Sequence, residues 1–235
     1  MWKKIGALLL CALMILGSAM AEETTTEAWR ITVDGVELTV EGETVALNPS
    51  FEMLAGRDEA GTWLQLAVVN GGSNALAVQL EYAPDAIRAS ADGAKDVLVI
   101  DAVEQFLNQY GLTPELVNTL INQFFTGLET ADTSTQLLEG TFQNLKLERV
   151  GDREYRVSYA DGNNAVSVHI LWEAYDGGRP FDLSEKNACR YTFREVFPGD
   201  GTDIPQALTN AAAQLMADES VQALMMLFQL PSVTM

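Results

Sequence analysis

His169 is the only histidine in the chain, which removes every chemistry that needs two imidazoles, including the common two-histidine zinc sites. A lone histidine can still serve a nucleophile. Gly71-Gly72-Ser73-Asn74-Ala75 follows an apolar run, as a nucleophile elbow would, but that motif needs glycine at its fifth position and a helix after it. Leu76 to Tyr82 alternates as a strand instead, so Ser73 reads as a turn residue and no catalytic residue is assigned. Cys189 shares strand parity with Tyr191, Phe193 and Phe197 and is expected to be a buried thiol behaving as a small apolar group. Asp161-Gly162-Asn163-Asn164 and Asp200-Gly201-Thr202-Asp203 carry oxygen ligands without the spacing of a calcium loop, so both read as turns. Met216, Met225 and Met226 read as core fillers at helical spacing. No metal and no cofactor is expected.

The distribution of positive charge is more informative. Eight basic residues lie between Lys146 and Arg194. Strand parity puts Leu145, Leu147, Tyr155, Val157, Tyr159, Val166, Val168, Ile170 and Trp172 on one side. Lys146, Arg156, Ser158, Ser167, His169, Arg190, Thr192 and Arg194 fall on the other. Lys146, Arg156, His169, Arg190 and Arg194 are therefore the candidate contacts for an anionic ligand or an acidic partner surface. The competing reading is cross-strand pairing with Glu148, Glu154, Glu173 and Glu195, since opposite charges on neighbouring strands are mildly stabilising.

These residues need a scaffold, and the periodicity predicts one. Trp29, Ile31 and Val33, then Asp34-Gly35, then Val36, Leu38 and Val40 predict a hairpin. A second hairpin is predicted from Thr62 to Tyr82 around Asn70-Gly71-Gly72-Ser73, while residues 41–61 between the two are less legible. Val99, Val103, Phe106 and Tyr110 share one helical face, with Gly111 as the stop. Thr113 caps a second helix with Pro114 at its first position, and Leu116, Val117, Leu120, Ile121, Phe124, Phe125 and Leu128 form its apolar stripe. The two helices are expected to pair antiparallel. Four strands follow, at 142–150, 154–159, 165–175 and 188–197, as an antiparallel meander. Asp203 with Gln206 resembles a capping box ahead of a helix through Leu215, and a last helix runs around Val221 to Phe228. The expected fold is α+β: an antiparallel sheet of hairpins plus a four-stranded meander, packed against an αα-hairpin and C-terminal helices.

The first 21 residues have the three parts of a secretory signal peptide: Lys3 and Lys4, an apolar stretch from Ile5 to Leu16, and Ala19-Met20-Ala21 as a cleavage site. The apolar stretch falls short of the roughly 20 residues that a spanning helix needs. Cys11 follows leucines rather than a small residue, which argues against lipidation, and Leu230-Pro231-Ser232-Val233-Thr234 is no sortase signal. The expected plan is residues 1–21 cleaved, 22–28 a flexible N-terminus and 29–235 a single α+β domain, secreted to an extracellular or periplasmic space. Cleavage removes two lysines and no acid, taking the formal charge from −19 to −21. A field of that sign opposes nucleic acid and anionic lipid surfaces. Cys189 would then be the sole cysteine, with no intramolecular disulfide to form.

The order hairpin, further strands, helices, meander and C-terminal helix resembles that of PsbP-like exported proteins. The likeness is carried by Leu145-Lys146-Leu147-Glu148-Arg149-Val150-Gly151-Asp152-Arg153-Glu154-Tyr155 and by the strand from Ala188 to Phe197 followed by a helix. It implies an accessory or binding role rather than catalysis, with a protein or another cell-envelope component as partner. The alternatives are an extracytoplasmic hydrolase using paired carboxylates and a structural protein that associates with itself through edge strands.

Overall fold

Glycines with positive φ mark where the chain turns, and they organise the sheet. The computed structural model describes residues 28–130, 144–192, 195–196 and 203–227. The signal segment, the predicted C-terminal residues from Phe228 onward, Phe142, Phe193, Arg194, Phe197 and residues 200–202 lie outside the described residues. Twelve strands follow one another: β1 (Ala28–Val40), β2 (Glu43–Ala46), β3 (Ser50–Asp58), β4 (Gly61–Asn70), β5 (Ser73–Tyr82), β6 (Ile87–Ala91), β7 (Asp96–Ile100), β8 (Leu145–Gly151), β9 (Glu154–Asp161), β10 (Asn164–Ala174), β11 (Asn187–Thr192) and β12 (Glu195–Val196). Helices α1 (Val103–Asn108) and α2 (Pro114–Thr130) separate β7 from β8, and α3 (Ile204–Met216) and α4 (Glu219–Leu227) follow β12. The strands join in one sheet of order β12-β11-β7-β6-β5-β4-β3-β1-β10-β9-β8, with β2 beside the second half of β1. This is an α+β arrangement built mostly of antiparallel pairs.

The second predicted hairpin is β4 and β5, turning at Gly71 and Gly72 with φ of 61° and 81°. The first is not a hairpin. β1 runs straight through Asp34-Gly35 as one strand, and Gly35, at φ 53°, forms a bulge: Asp34 pairs with His169 and Glu37 with Ser167, leaving one extra residue on β1. The bulge flips strand parity, so Trp29 and Ile31 before it and Val36 and Leu38 after it are buried on the same face. Asp-Gly chemistry fits a tight turn and a bulge alike, and here the long partner strand β10 decides.

The predicted meander also needs correction. β8, β9 and β10 pair as expected, but β11 leaves them and lies parallel to β7, with Asn187 opposite Asp96 and Arg190 opposite Val99. Residues 175–186 form a strap that carries the chain across the sheet between them. Phe181 meets the edge of the Trp63 ring at 6.2 Å, and Leu183 packs with Ala86, Val97 and Val99. Burial of these apolar groups holds the strap to the sheet instead of letting it return as a hairpin. Val99, expected on a helix, belongs to β7, which shortens α1 to Val103–Asn108.

The two faces of the sheet are therefore of different kinds. On the helix face, α2 sets Phe125 and Leu128 against Trp29, Ile31, Tyr155, Val168 and Trp172. Thr113 Oγ1 accepts the Leu116 N–H at 3.2 Å, which caps α2 as its sequence requires. α3 is held differently from the expected capping box. The Asp203 carboxylate accepts the N–H groups of Lys95 and Asp96, at 2.5 and 2.9 Å, and the Asp203 N–H donates to Asp96. On the opposite, strap face, Arg179 pairs with Asp58 and Glu81, and Lys186 donates to Ser90 and to the Ala91 and Ala94 carbonyls.

Candidate functional site

Three of the five predicted contacts come together. Register places Lys146 opposite Ser158, Arg156 opposite both Glu148 and His169, and all of them on the strap-side face of β8–β10. His169 is held from both sides: Nδ1 lies 2.6 Å from Asp34 Oδ1, and Nε2 lies 2.7 Å from Glu154 Oε1. Burial pushes the imidazole pKa down, but the hydrogen bonds and charges of Asp34 and Glu154 outweigh it and hold it above its usual value. With both nitrogens bound to carboxylates, the ring has none left to activate a hydroxyl. Arg190 does not join this group, since β11 is separated from β10 by six strands. Arg194 lies outside the described residues. The five-residue patch is thus divided, and what remains of it is an acid-clamped histidine beside Arg156. Among the described residues, no group of three or more His, Cys, Asp or Glu side chains is arranged to hold a metal.

A different site emerges where burial inverts the ordinary pattern. β4 and β5 alternate, so Gln65 and Gln79 point to the strap face, and Leu66 and Leu80 to the helix face. The glutamines are each only 6% exposed, together with Glu81 under the strap, whereas Leu66 is 47% and Leu80 36% exposed. Buried polar groups and exposed large apolar ones are the informative departures from the usual rule. On the strap face, Glu81 is satisfied by Arg88 at 2.5 Å and by Arg179, which is how a carboxylate is kept in the interior. On the helix face, register sets Met53, Leu66 and Val78 in one row and Leu64, Leu80 and Ala89 in the next, with Phe51 (43% exposed) at the side. They form a continuous apolar floor.

The helices cover the margin of this floor, where Met53 and Leu64 pack against the core under α2, and leave Phe51, Leu66 and Leu80 exposed. α3 runs along one end of the strands, from Asp203 at the β6–β7 turn to Asp218, whose carboxylate accepts from Asn70 at 3.0 Å and from Asn48 at 3.3 Å. α2 begins at the other end. There Arg57 donates to Asn122 at 2.7 Å and stacks its guanidinium 4.5 Å from the centre of the Phe125 ring. Among the described residues, the strip between the two helices is an open trough crossing β3, β4 and β5.

At the α2 end the floor runs into a cleft of about 450 Å³. Thr62 and Tyr82 of its lining are the next cross-strand pair after Leu64 and Leu80, so the cleft adjoins the floor along the sheet. Glu104 from α1 and Pro114 and Asn118 from α2 close its far side. Its volume lies in the range of small-molecule sites.

No protein-family model matches this sequence, and no curated protein matches it. Sequence periodicity contained part of the site: Leu64, Leu66 and Val68 alternate in phase across the hairpin with Leu76, Val78 and Leu80. The exposure of that face could not be read locally, because it depends on where α2 and α3 come to rest.

Proposed function

We propose that this is an exported, non-enzymatic binding protein that holds an apolar, chain-like ligand in the trough between α2 and α3, its natural source being an amphiphile of the cell envelope. One observation carries the reading: Leu66 and Leu80 are exposed on the face where α2 and α3 leave the sheet open, while Gln65 and Gln79 of the same strands are buried. Continuous exposed apolar surface of this kind marks an interaction site, and covering it removes that surface from water at about 25 cal/mol per Å². The clamped His169 and the absence of a metal-binding cluster among the described residues favour holding over chemistry. The signal-like residues 1–21 and the resemblance to PsbP-like exported proteins point to the same setting.

Fluorescence titration with the apolar probe N-phenyl-1-naphthylamine tests this. Saturable binding at one site per chain is expected, and Leu66→Asp with Leu80→Asp should abolish it while leaving the far-ultraviolet circular dichroism unchanged. Binding that survives both substitutions, or a trough closed by a second copy of the chain and seen as a dimer that excludes the probe, would overturn the reading.

A further inference from the structure

The two ends of the sheet differ in what they offer another strand. β12 has only two residues, whereas β8 presents seven, Leu145–Gly151, and among the described residues pairs with β9 alone. The Ala160 N–H donates to the Asn144 carbonyl at 3.4 Å, and on the other side of β9 the Trp172 N–H donates to the Arg153 carbonyl at 3.1 Å. The antiparallel alternation set by these bonds turns the backbone of Lys146 and Glu148 toward β9 and that of Leu145 and Leu147 outward. An outward row of N–H and C=O groups is a template for another strand. The bulge between Arg149 and Gly151 ends that row.

Charge selects the partner. The chain carries −19 overall, but from Leu145 to Asp161, across β8 and β9, it holds four basic and four acidic residues. Here a strongly acidic chain meets least repulsion from a copy of itself. Outward backbone groups of two antiparallel β8 strands match only in registers that differ by two residues. With a two-fold axis at Leu147, each exposed Lys146 faces the exposed Glu148 of the second copy, and the two Leu147 side chains meet on the helix face. Either neighbouring register sets Lys146 against Lys146 or Glu148 against Glu148.

We propose that β8 is a homodimerisation edge, joining two copies antiparallel about Leu147 into one continuous sheet, with Lys146 and Glu148 fixing the register. The contact is isologous and closes at two copies, and main-chain bonds supply most of it. The trough lies on β3, β4 and β5, with β1, β10 and β9 between it and β8. Each copy therefore keeps its trough open, and dimerisation does not depend on what the trough holds.

Analytical ultracentrifugation tests this. A reversible equilibrium of monomer and dimer is expected, and Lys146→Glu should raise its dissociation constant about tenfold or more, since it sets two like-charged pairs across the axis. Lys146→Glu combined with Glu148→Lys restores opposite charges in the same register and should recover the dimer. Leu66→Asp with Leu80→Asp should leave the dimer intact. A chain that stays monomeric up to about 1 mM, a dimer indifferent to Lys146→Glu, or one that the double exchange fails to recover would overturn the β8 pairing and leave the trough reading standing. A dimer lost with Leu66→Asp and Leu80→Asp would put the contact on the trough and overturn both.

Discussion

His169 faces Asp34 across the β10–β1 pair, Nδ1 to Oδ1 at 2.6 Å, at the residue just before the Gly35 bulge. The bulge and the clamp are therefore linked, and the clamp has a measurable titration. The folded-state pKa is raised above the ordinary imidazole value of 6.5, so the stabilisation is present in full below that value and is lost as pH rises through the higher folded value. Because the site faces solvent, the effect is at most ~1 kcal/mol. NMR titration of the single imidazole should give a pKa above 6.5, and His169→Gln should flatten the pH dependence of stability across that window. A pKa at or below 6.5 would contradict the clamp.

Arg179 is the strap's principal attachment. Its partners Asp58 and Glu81 lie on two different strands, and Glu81 is buried. Arg179→Met should cost ~2–3 kcal/mol in urea denaturation, with Glu81 still partly compensated by Arg88. Arg179→Lys should recover little, since one ammonium cannot reproduce the forked contact to both carboxylates. Limited proteolysis should then cut within residues 175–186. By contrast, Arg30→Met, which removes half-buried pairs with Glu52 and Glu173, should cost less than Arg179→Met, since neither acid is buried as Glu81 is.

Asp218 joins α3 and α4 to the sheet. It accepts from Ser220, Asn70 and Asn48, and these hydrogen bonds, Ser220 first, hold its pKa at about 2. A depressed carboxylate pKa means that its contribution is present above the ordinary aspartate value of 3.8 and is lost as pH falls toward the folded value. Asp218→Asn should accelerate amide exchange in residues 204–227 relative to the parent protein at the same neutral pH. Unchanged exchange would show that α3 and α4 are held without it.

Gly56 lies against the buried Trp63 ring, and a Cβ placed there would come within 2.4 Å of it. The contact is with the body of a packed ring rather than a flexible chain end, so Gly56→Ala should destabilise by ~1–3 kcal/mol in chemical denaturation. Trp63→Leu should relieve most of that penalty when the two are combined. A neutral Gly56→Ala would show that the strap face repacks more freely than its burial suggests.

How much of this was legible in the sequence follows from how local each determinant is. The β4–β5 hairpin and the start of α2 were readable because Gly71-Gly72 and Thr113-Pro114 act within a few residues. Asp34-Gly35 was misread because its local chemistry is the same for a turn and a bulge, and only β10, more than a hundred residues later, distinguishes them. β11 looked like the next strand of a meander, but its partner β7 precedes both long helices, and nothing in Asn187 to Thr192 encodes that parallel pairing. The site was hidden for a related reason. Alternation in β4 and β5 does not say which face is buried; that is decided by the strap covering Gln65 and Gln79 and by the helices leaving Leu66 and Leu80 exposed. The predicted patch of Lys146, Arg156, His169, Arg190 and Arg194 assumed that β11 would lie beside β10, and it divides when β11 moves.

The most direct test of the trough is contact between ligand and floor. With leucine methyls labelled and the protein saturated with dodecyl maltoside, intermolecular nuclear Overhauser effects should run from the dodecyl chain to the methyls of Leu64, Leu66 and Leu80. Effects confined to leucines away from the trough, such as Leu171 on the opposite face, or none at saturation, would contradict the account.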